Sequence, residues 1–439
     1  MATTIVTPTA SSDDRKRFRD LLAVNFGNTL EWFDWTIYTI FAPFFAQQFF
    51  PSSDPTASLL AALAVFAAGF LTRPLGGFLF GLYADKAGRK QSLTLAMLVT
   101  AGGSLVIAAA PTFALAGIVA SLILLIARLA QGIAHGGEMG TAVTYLVEKA
   151  PRHRRAFFGS TSWISVVLGT MIATVVSLIL NSTLGKSQLE EWGWRIPFAL
   201  GGVLGLYGLY LRRRLDETDV FAHGKQSSSE GSMASLARNW RGIAVVFGLS
   251  AGGSIMFYTW LIYSPTFARL SRGLDAQSAL SASLIAQCIF LVAIPIIGVM
   301  ADKYGRRPFI VLFGVGFIAL SYFLDNLIDN TFSGLLMAMS VALLLLSCLF
   351  GVNAAVWTEV FPTNVRATGV SGPLSLATAI FGGTAPYVST YLSQIGFQKW
   401  FLLYLMSVSA ITLLTGLMIP ETKNLDLDRP DTGRLSNRP

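Results

Sequence analysis

Gly81-Leu-Tyr-Ala-Asp85-Lys-Ala-Gly88-Arg89-Lys90 returns 217 positions later as Gly298-Val-Met-Ala-Asp302-Lys-Tyr-Gly305-Arg306-Arg307. A second pair follows in the same order: Glu148-Lys-Ala-Pro151-Arg-His-Arg-Arg155 and Glu359-Val-Phe-Pro362-Thr-Asn-Val-Arg366, 211 positions apart. A third is Glu217-Thr218 and Glu421-Thr422, 204 apart. Three echoes in one order at similar offsets point to a duplicated unit. Working outward from each echo, the flanking sequence is apolar over lengths that suit a bilayer, whose hydrocarbon core of about 30 Å needs about 20 apolar residues per helix. In the first copy these runs are about 22–49, 58–83, 91–110, 116–147, 157–181 and 196–211. In the second they are about 241–264, 279–301, 308–328, 332–358, 367–392 and 398–419.

Composition agrees. Of 439 residues, 53% are hydrophobic and only 13% charged, against about 25% charged in soluble domains. That excludes globular cytosolic enzymes, disordered regulators and disulfide-stapled secreted domains. The net charge of +8 does not indicate nucleic acid, because the cations sit in short runs between apolar stretches. Of the 32 Lys and Arg residues, 25 fall in the tails, the central link and alternate loops. The opposite side has Lys186, Arg195, Arg269, Arg272 and Lys399, while Arg73 and Arg128 lie inside spans. The positive-inside rule then puts both termini and the central link in the cytoplasm.

The expected fold is an all-α membrane protein of twelve transmembrane helices in two pseudo-symmetric six-helix bundles. Its parts are an N-terminal tail (1–20), a first bundle (21–211), a polar link (212–240), a second bundle (241–420) and a C-terminal tail (421–439). The link contains Lys225-Gln-Ser-Ser-Ser-Glu-Gly-Ser232 and reads as a surface segment. Asp13-Asp14-Arg15-Lys16-Arg17 precedes a long apolar run with no small-residue cleavage site, so no cleavable signal peptide is expected. Cys288 and Cys348 lie in apolar stretches and read as packing residues.

These residues resemble the major facilitator superfamily and, within it, the metabolite:proton symporters of bacteria. The Gly81–Lys90 loop looks like the superfamily's signature loop. More specific are Gly27-Asn28-x-x-Glu31-Trp32-Phe33-Asp34, Arg73-Pro74-Leu75-Gly76-Gly77, Gly136-Gly137-Glu138 and Trp192-Gly-Trp-Arg195-Ile-Pro197-Phe. The resemblance implies a secondary transporter of the inner membrane that works by alternating access and functions as a monomer. It also implies a substrate among 2-oxoglutarate, citrate, shikimate, other small carboxylates, or proline and betaine.

An ionisable group at the centre of a membrane helix costs at least about 2.5–3.5 kcal/mol, so each needs a reason to be there. Glu31, Asp34, Arg73, Arg128, His135 and Glu138 all lie in the first copy; the second has Asp325 near its outer end and Glu359 at its inner end. At about 1.5 Å per residue, Glu31, Arg73 and Glu138 share the midplane, where carriers of this build place their sites. Glu31 and Asp34, three apart, share a helical face. A carboxylate beside a guanidinium stays ionised, whereas desolvation favours its acid form. Proton coupling needs that competition to differ between states. Glu31 or Asp34 is therefore expected to take the proton, with Glu138 as the alternative. His135 either titrates near neutrality or is a hydrogen-bonded packing residue. Arg73 either holds the carboxylate or binds a substrate carboxylate in bidentate fashion. The competing reading is a permanent ion pair fixing the first, second and fourth segments. Arg128 is open between a structural or relay role and substrate contact.

The second half is expected to add neutral substrate contacts, with Tyr258, Gln287, Asn353 and Trp357 as candidates; Trp260 and Tyr263 are alternatively interface anchors. Asp85, Arg89, Glu148 and Arg155, echoed by Asp302, Arg306, Glu359 and Arg366, are expected to gate the cytoplasmic side by clamping helix ends. The glycines from Gly69 to Gly140 suit close helix packing. No Walker loop, His/Cys metal cluster or Ser/His/Asp arrangement is present in the sequence, so neither an enzyme nor a cofactor or metal is expected. The partners expected are a small molecule, protons and the lipid bilayer. Proton-coupled uptake of a small organic anion fits these features best, with an osmolyte symporter or an efflux carrier of the same fold as alternatives.

Overall fold

The computed structural model describes residues 12–77, 79–80, 89–136, 140, 143–144, 146–147, 150–213, 238–361, 366–423 and 425, without the side chains of 12–24, 89–90, 92–93, 211–213 and 367. Asp85, Glu138, Glu148, the Arg89 side chain, and most of the link and tails lie outside the described residues. The first half contains α1 (Ser12–Phe49), α2 (Pro55–Leu71), α3 (Arg89–Ala109), α4 (Ile118–Gly136), α5 (Arg155–Thr183) and α6 (Arg195–Arg213). The second contains α7 (Trp240–Met256), α8 (Ala276–Tyr304), α9 (Arg307–Leu327), α10 (Phe332–Phe350), α11 (Arg366–Ala377) and α12 (Gln398–Met418).

Local chemistry sets the helix ends. Asp54 accepts from the Thr56 amide at 2.9 Å with Pro55 opening α2, and Asp275 accepts from Ser278 at 2.9 Å to start α8. Such caps satisfy amides that the first helical turn leaves free. The hydrogen bonds from Ser278 also hold the Asp275 carboxyl below its ordinary range. Beyond Leu71, α2 resumes over 73–77 past Pro74, whose missing N–H interrupts the ladder beside Arg73. Other interruptions fall in the second half. α7 widens to π-helical turns over Phe257–Tyr263 before continuing as Ser264–Arg272. α10 breaks at Gly351-Val352 before Asn353–Glu359, and α11 widens over Thr378–Gly382 before Ala385–Gln394.

Eight helices among the described residues are long and apolar enough to cross a membrane. α1, α3, α6 and α11 are not among them, and two of these have polar residues where they pack inside the protein. α1 is buried at every position from 30 to 42, so protein rather than lipid surrounds its Glu31 and Asp34. α11 carries Gly, Ser, Thr and Pro where it meets the first half.

The duplication seen in the sequence is visible in the packing. In the first half α1 packs on α5, α2 on α4, and α3 on both α4 and α6; in the second α7 packs on α11, α8 on α10, and α9 on both α10 and α12. The halves meet along α5–α8 and along α2–α11, seams that exchange under the same pseudo-symmetry. The α2–α4 seam requires glycine: a Cβ on Gly132 would collide with the Gly69 carbonyl, and one on Gly136 with that of Arg73.

Candidate functional site

Two charged pairs occupy the buried centre of the first half. Asp34 of α1 is 2% exposed and Arg128 of α4 is 0% exposed. Their Oδ2–Nη1 separation is 2.9 Å. Gln131 Nε2 donates to the same oxygen at 3.2 Å, and the Ser104 hydroxyl donates to Asp34 Oδ1. Three donors converge on this one carboxylate, and the Arg128 guanidinium further stacks over Tyr38 at 4.3 Å. One turn earlier on α1, Glu31 pairs with His135 of α4, whose ring meets Trp32 and Trp35 at 6.0 and 6.1 Å.

Arg73 is held differently. Its guanidinium lies 3.6 Å from the Phe70 ring centroid and 4.4 Å from that of Trp35. Glu31 and Tyr258 face it electrostatically. Among the described residues, its buried Nε and Nη2 have no hydrogen-bond acceptor.

Beyond Tyr258 lies a small cavity between the halves. The first half contributes Trp32 and Trp163, and the second contributes Ser250, Ser254, Phe257, Tyr258, Phe350, Asn353, Trp357 and Thr378. The second-half contributions cluster at the interruptions of α7, α10 and α11. That is the place for them: an interrupted helix exposes irregular backbone and turns side chains inward, as at transporter midplanes. The wall is aromatic, with Trp163 stacked on Phe350 at 3.9 Å and Trp32 on Tyr258 at 6.1 Å. Set into it are buried polar groups without hydrogen-bond partners among the described residues, the indole N–H groups of Trp32 and Trp357 and the hydroxyl of Ser250, while the Tyr258 hydroxyl is turned to Arg73.

Of the residues read as substrate contacts from the sequence, Tyr258, Asn353 and Trp357 line this cavity. Gln287 does not. Its amide accepts from Thr170 at 2.8 Å and donates to Thr174 at 3.0 Å and Ser283 at 2.9 Å, which makes it part of the α5–α8 seam. Arg128 is committed to Asp34, so Arg73 is not the partner of that carboxylate. Trp260 and Tyr263, each 2% exposed, are packed inside rather than at a lipid interface. Sequence reasoning missed Trp163, Ser250, Phe257, Phe350 and Thr378. The run Ser250-Ala-Gly-Gly-Ser254 inside an apolar helix was the available signal.

At the opposite end from Tyr263, charges join the halves. Asp302 accepts from the Ala156 and Phe157 amides at 3.0 and 2.9 Å, capping α5 across the seam. Arg306 bridges Asp302 at 3.1 Å and Glu359 at 3.3 Å, while Arg155 approaches Glu359 at 3.9 Å. Arg366 is buried and donates to the Phe361 carbonyl at 3.3 Å. Glu421 caps α9 through the Arg306 and Arg307 amides at 3.0 and 3.1 Å. On the Tyr263 side, the Ala385–Gln394 rod packs on α2 and the Arg269 guanidinium lies over the Phe44 ring at 5.0 Å. The residues named around the cavity are all buried.

Residues 21–246 and 241–432 each match the family described as "Sugar (and other) transporter", one match per half. The chain is 39% identical over 414 residues to the alpha-ketoglutarate permease of Escherichia coli K12, covering 93% of this chain and 95% of that one. It is 32% identical over 431 residues to the proline/betaine transporter of Salmonella typhimurium LT2, covering 94% and 86%. Its fold matches a proton:xylose symporter of the major facilitator superfamily solved with 6-bromo-6-deoxy-D-glucose, at a TM-score of 0.76 and 19% identity over 93% of this chain and 97% of that one. Two homologous bundles closing on a polar-aromatic cavity, joined by charged helix ends, thus place the chain in the sugar (and other) transporter family of the major facilitator superfamily, on its metabolite:proton symporter branch, as a transporter of the bacterial inner membrane and not an enzyme.

Proposed function

We propose that this chain takes up a small organic anion, a mono- or dicarboxylate such as 2-oxoglutarate, together with protons by alternating access. In this reading all twelve helices span the membrane, both termini are cytoplasmic, the bundles are 21–211 and 241–420, and one chain is the working unit. The observation that carries it is the buried cavity whose unpartnered donors surround a place for an acceptor-rich ligand, with Arg73 behind Tyr258. A carboxylate there satisfies Trp32, Trp357 and Ser250 and offers Arg73 the bidentate partner a guanidinium suits. Asn353, already accepting from Trp163 at 3.0 Å, orients the wall. Glu31 with His135 is the exchangeable proton site, with Glu138 as a further candidate, and the four-way Asp34 network is its fixed electrostatic frame. When Arg73 turns to the substrate, Glu31 loses a cation and gains proton affinity. The Asp302–Arg306–Glu359–Arg155 cluster then releases to open the cytoplasmic side, with Asp85, Arg89, Glu148 and Arg366 as its counterparts.

The aromatic wall also suits a quaternary ammonium through cation–π contact, so a betaine or proline carrier is the second reading, and a carrier run outward is a variant of either. Counterflow of labelled 2-oxoglutarate in proteoliposomes, competed by carboxylates, amino acids and betaines, tests the proposal. Exchange blocked by dicarboxylates and indifferent to betaine supports it. Exchange blocked only by betaine or proline overturns it.

A further inference from the structure

A second cavity, large enough for a water molecule, lies inside the first half rather than between the halves. It is bounded by α1, α3 and α6 through Gly27, Leu30, Glu31, Asp34, Met97, Thr100, Ala101, Ser104, Gly201 and Gly205. Both α1 carboxylates border it, and it shares no residue with the substrate cavity. Its inner end is polar: Ser104 donates to Asp34, and Gln131, which binds Asp34 and Ser104 through Nε2, leaves a buried Oε1 without a partner among the described residues. Its other end comes within eight residues of the starts or ends of α3 and α6, at Met97 and Gly205, or about 12 Å along each helix. There it meets a small apolar cluster of its own, in which Leu30, Met97 and Leu209 pack with Phe26 and Leu204, apart from the main core.

We infer that this cavity is a proton branch: a water-holding passage through the first bundle that connects the α1 carboxylates to the cytoplasmic side, closed by the Leu30–Met97–Leu209 cluster and separate from the substrate's route. The inference rests on the proton-coupled reading above. A polar pocket with several acceptors is what an ordered water needs, and an apolar constriction below it controls wetting. The groups facing the carboxylates are His135, Arg73 and Tyr258 for Glu31, and Arg128, Gln131 and Ser104 for Asp34. The proton therefore has no need to pass through the substrate cavity.

Gly201 allows the test. A Cβ there lies 3.2 Å from the Phe33 ring and 3.8 Å from Asp34 Oδ1, so it enters the cavity without striking backbone. Gly201→Ala and Gly201→Val fill the passage in steps. In proteoliposomes, uptake driven by a pH gradient falls in that order, by about tenfold for Val if the passage dewets, while counterflow of the transported substrate, which needs no net proton release, stays within about twofold. Met97→Ala, which widens the closed end, raises gradient-driven uptake relative to counterflow. Equal loss of both activities in Gly201→Val, or unchanged gradient-driven uptake in all three variants, overturns the inference while leaving a coupled wild type in place. A wild type that shows counterflow but no response to a pH gradient overturns the proton-coupled reading and the inference with it.

Discussion

Asp302→Asn directly tests the closure that the proposed reading puts on the cytoplasmic side. Asp302 belongs to α8, yet both its oxygens accept amides of α5, at 3.0 and 2.9 Å, so the bonds exist only while the halves are closed there. A hydrogen bond to a charged acceptor contributes about 1.5–3 kcal/mol, and a carboxylate at a helix N-terminus adds up to about 2 kcal/mol in a partly buried setting. Asparagine keeps one acceptor and turns a donor toward the other amide. The closed state then loses about 2–4 kcal/mol, which at about 1.4 kcal/mol per tenfold shifts the open-to-closed ratio at least thirtyfold. Ser160 reports it, being fully buried beside Gly298 in this seam. With Cys288 and Cys348 replaced, a Ser160→Cys thiol in inside-out vesicles reacts with a water-soluble maleimide at a rate set by the open population. We expect Asp302→Asn to raise that rate at least tenfold. Glu421→Gln is the control, because Glu421 caps α9 within its own half and should leave the rate unchanged. Equal rates in wild type and Asp302→Asn refute the argument that these two bonds hold the seam.

Arg73→Lys should raise the KM for the transported anion at least tenfold and not rescue Arg73→Ala, since an ammonium can neither fork onto a carboxylate nor stack on Phe70 and Trp35 as the guanidinium does; a wild-type KM in the lysine variant removes Arg73 from the binding role. Asp34→Asn strands Arg128 in the interior and should destabilise the protein by about 3–5 kcal/mol, read as a lowered melting temperature in detergent, whereas Arg128→Met with Asp34→Asn should recover most of that loss. Glu31→Gln should preserve counterflow and abolish its acceleration by a pH gradient; coupling that survives in this variant moves the proton to another group. Gly132→Ala drives a methyl into the Gly69 carbonyl and should cost about 1–3 kcal/mol, visible as a lower melting temperature, while Gly102→Ala, which meets open space, should not.

Repeats and bilayer-length runs made the bundles legible because both are properties of the chain taken locally. The charged residues of the site were legible because burial in a membrane makes each one conspicuous. Their pairing was not. Glu31 and Asp34 lie one turn apart on α1, Arg128 and His135 two turns apart on α4, and the packing of α1 against α4 sends Asp34 to Arg128 and Glu31 to His135. The neutral half of the site was hidden for another reason. Phe257, Phe350 and Thr378 look like ordinary membrane-helix residues, and what turns them inward is a π-helical or broken stretch that hydrophobic periodicity does not mark. Gln287 shows the converse, since a polar residue in an apolar helix reads as a ligand contact until its partners across the seam are seen.

The two halves divide the chemistry unequally, and this constrains how cargo and proton can communicate. Among the described residues the ion pairs at the midplane join α1 to α4, while the second half brings aromatic rings, hydroxyls and amides. The two sets touch at few points. Trp32 follows Glu31 in sequence, edges His135 at 6.0 Å and lines the cavity. Tyr258 stacks on Trp32 at 6.1 Å and faces Arg73. Whatever occupies the cavity can alter the proton affinity of Glu31 only by moving these side chains or by drawing Arg73 off. A neutral cargo has no means of doing the latter, and a zwitterion repels Arg73 with its cation as much as it attracts it with its carboxylate. An anion does it outright. On the proposed reading the charge of the substrate is therefore part of the coupling mechanism itself: the protein needs no separate sensor of loading, because the group that recognises the carboxylate is the group that otherwise faces Glu31.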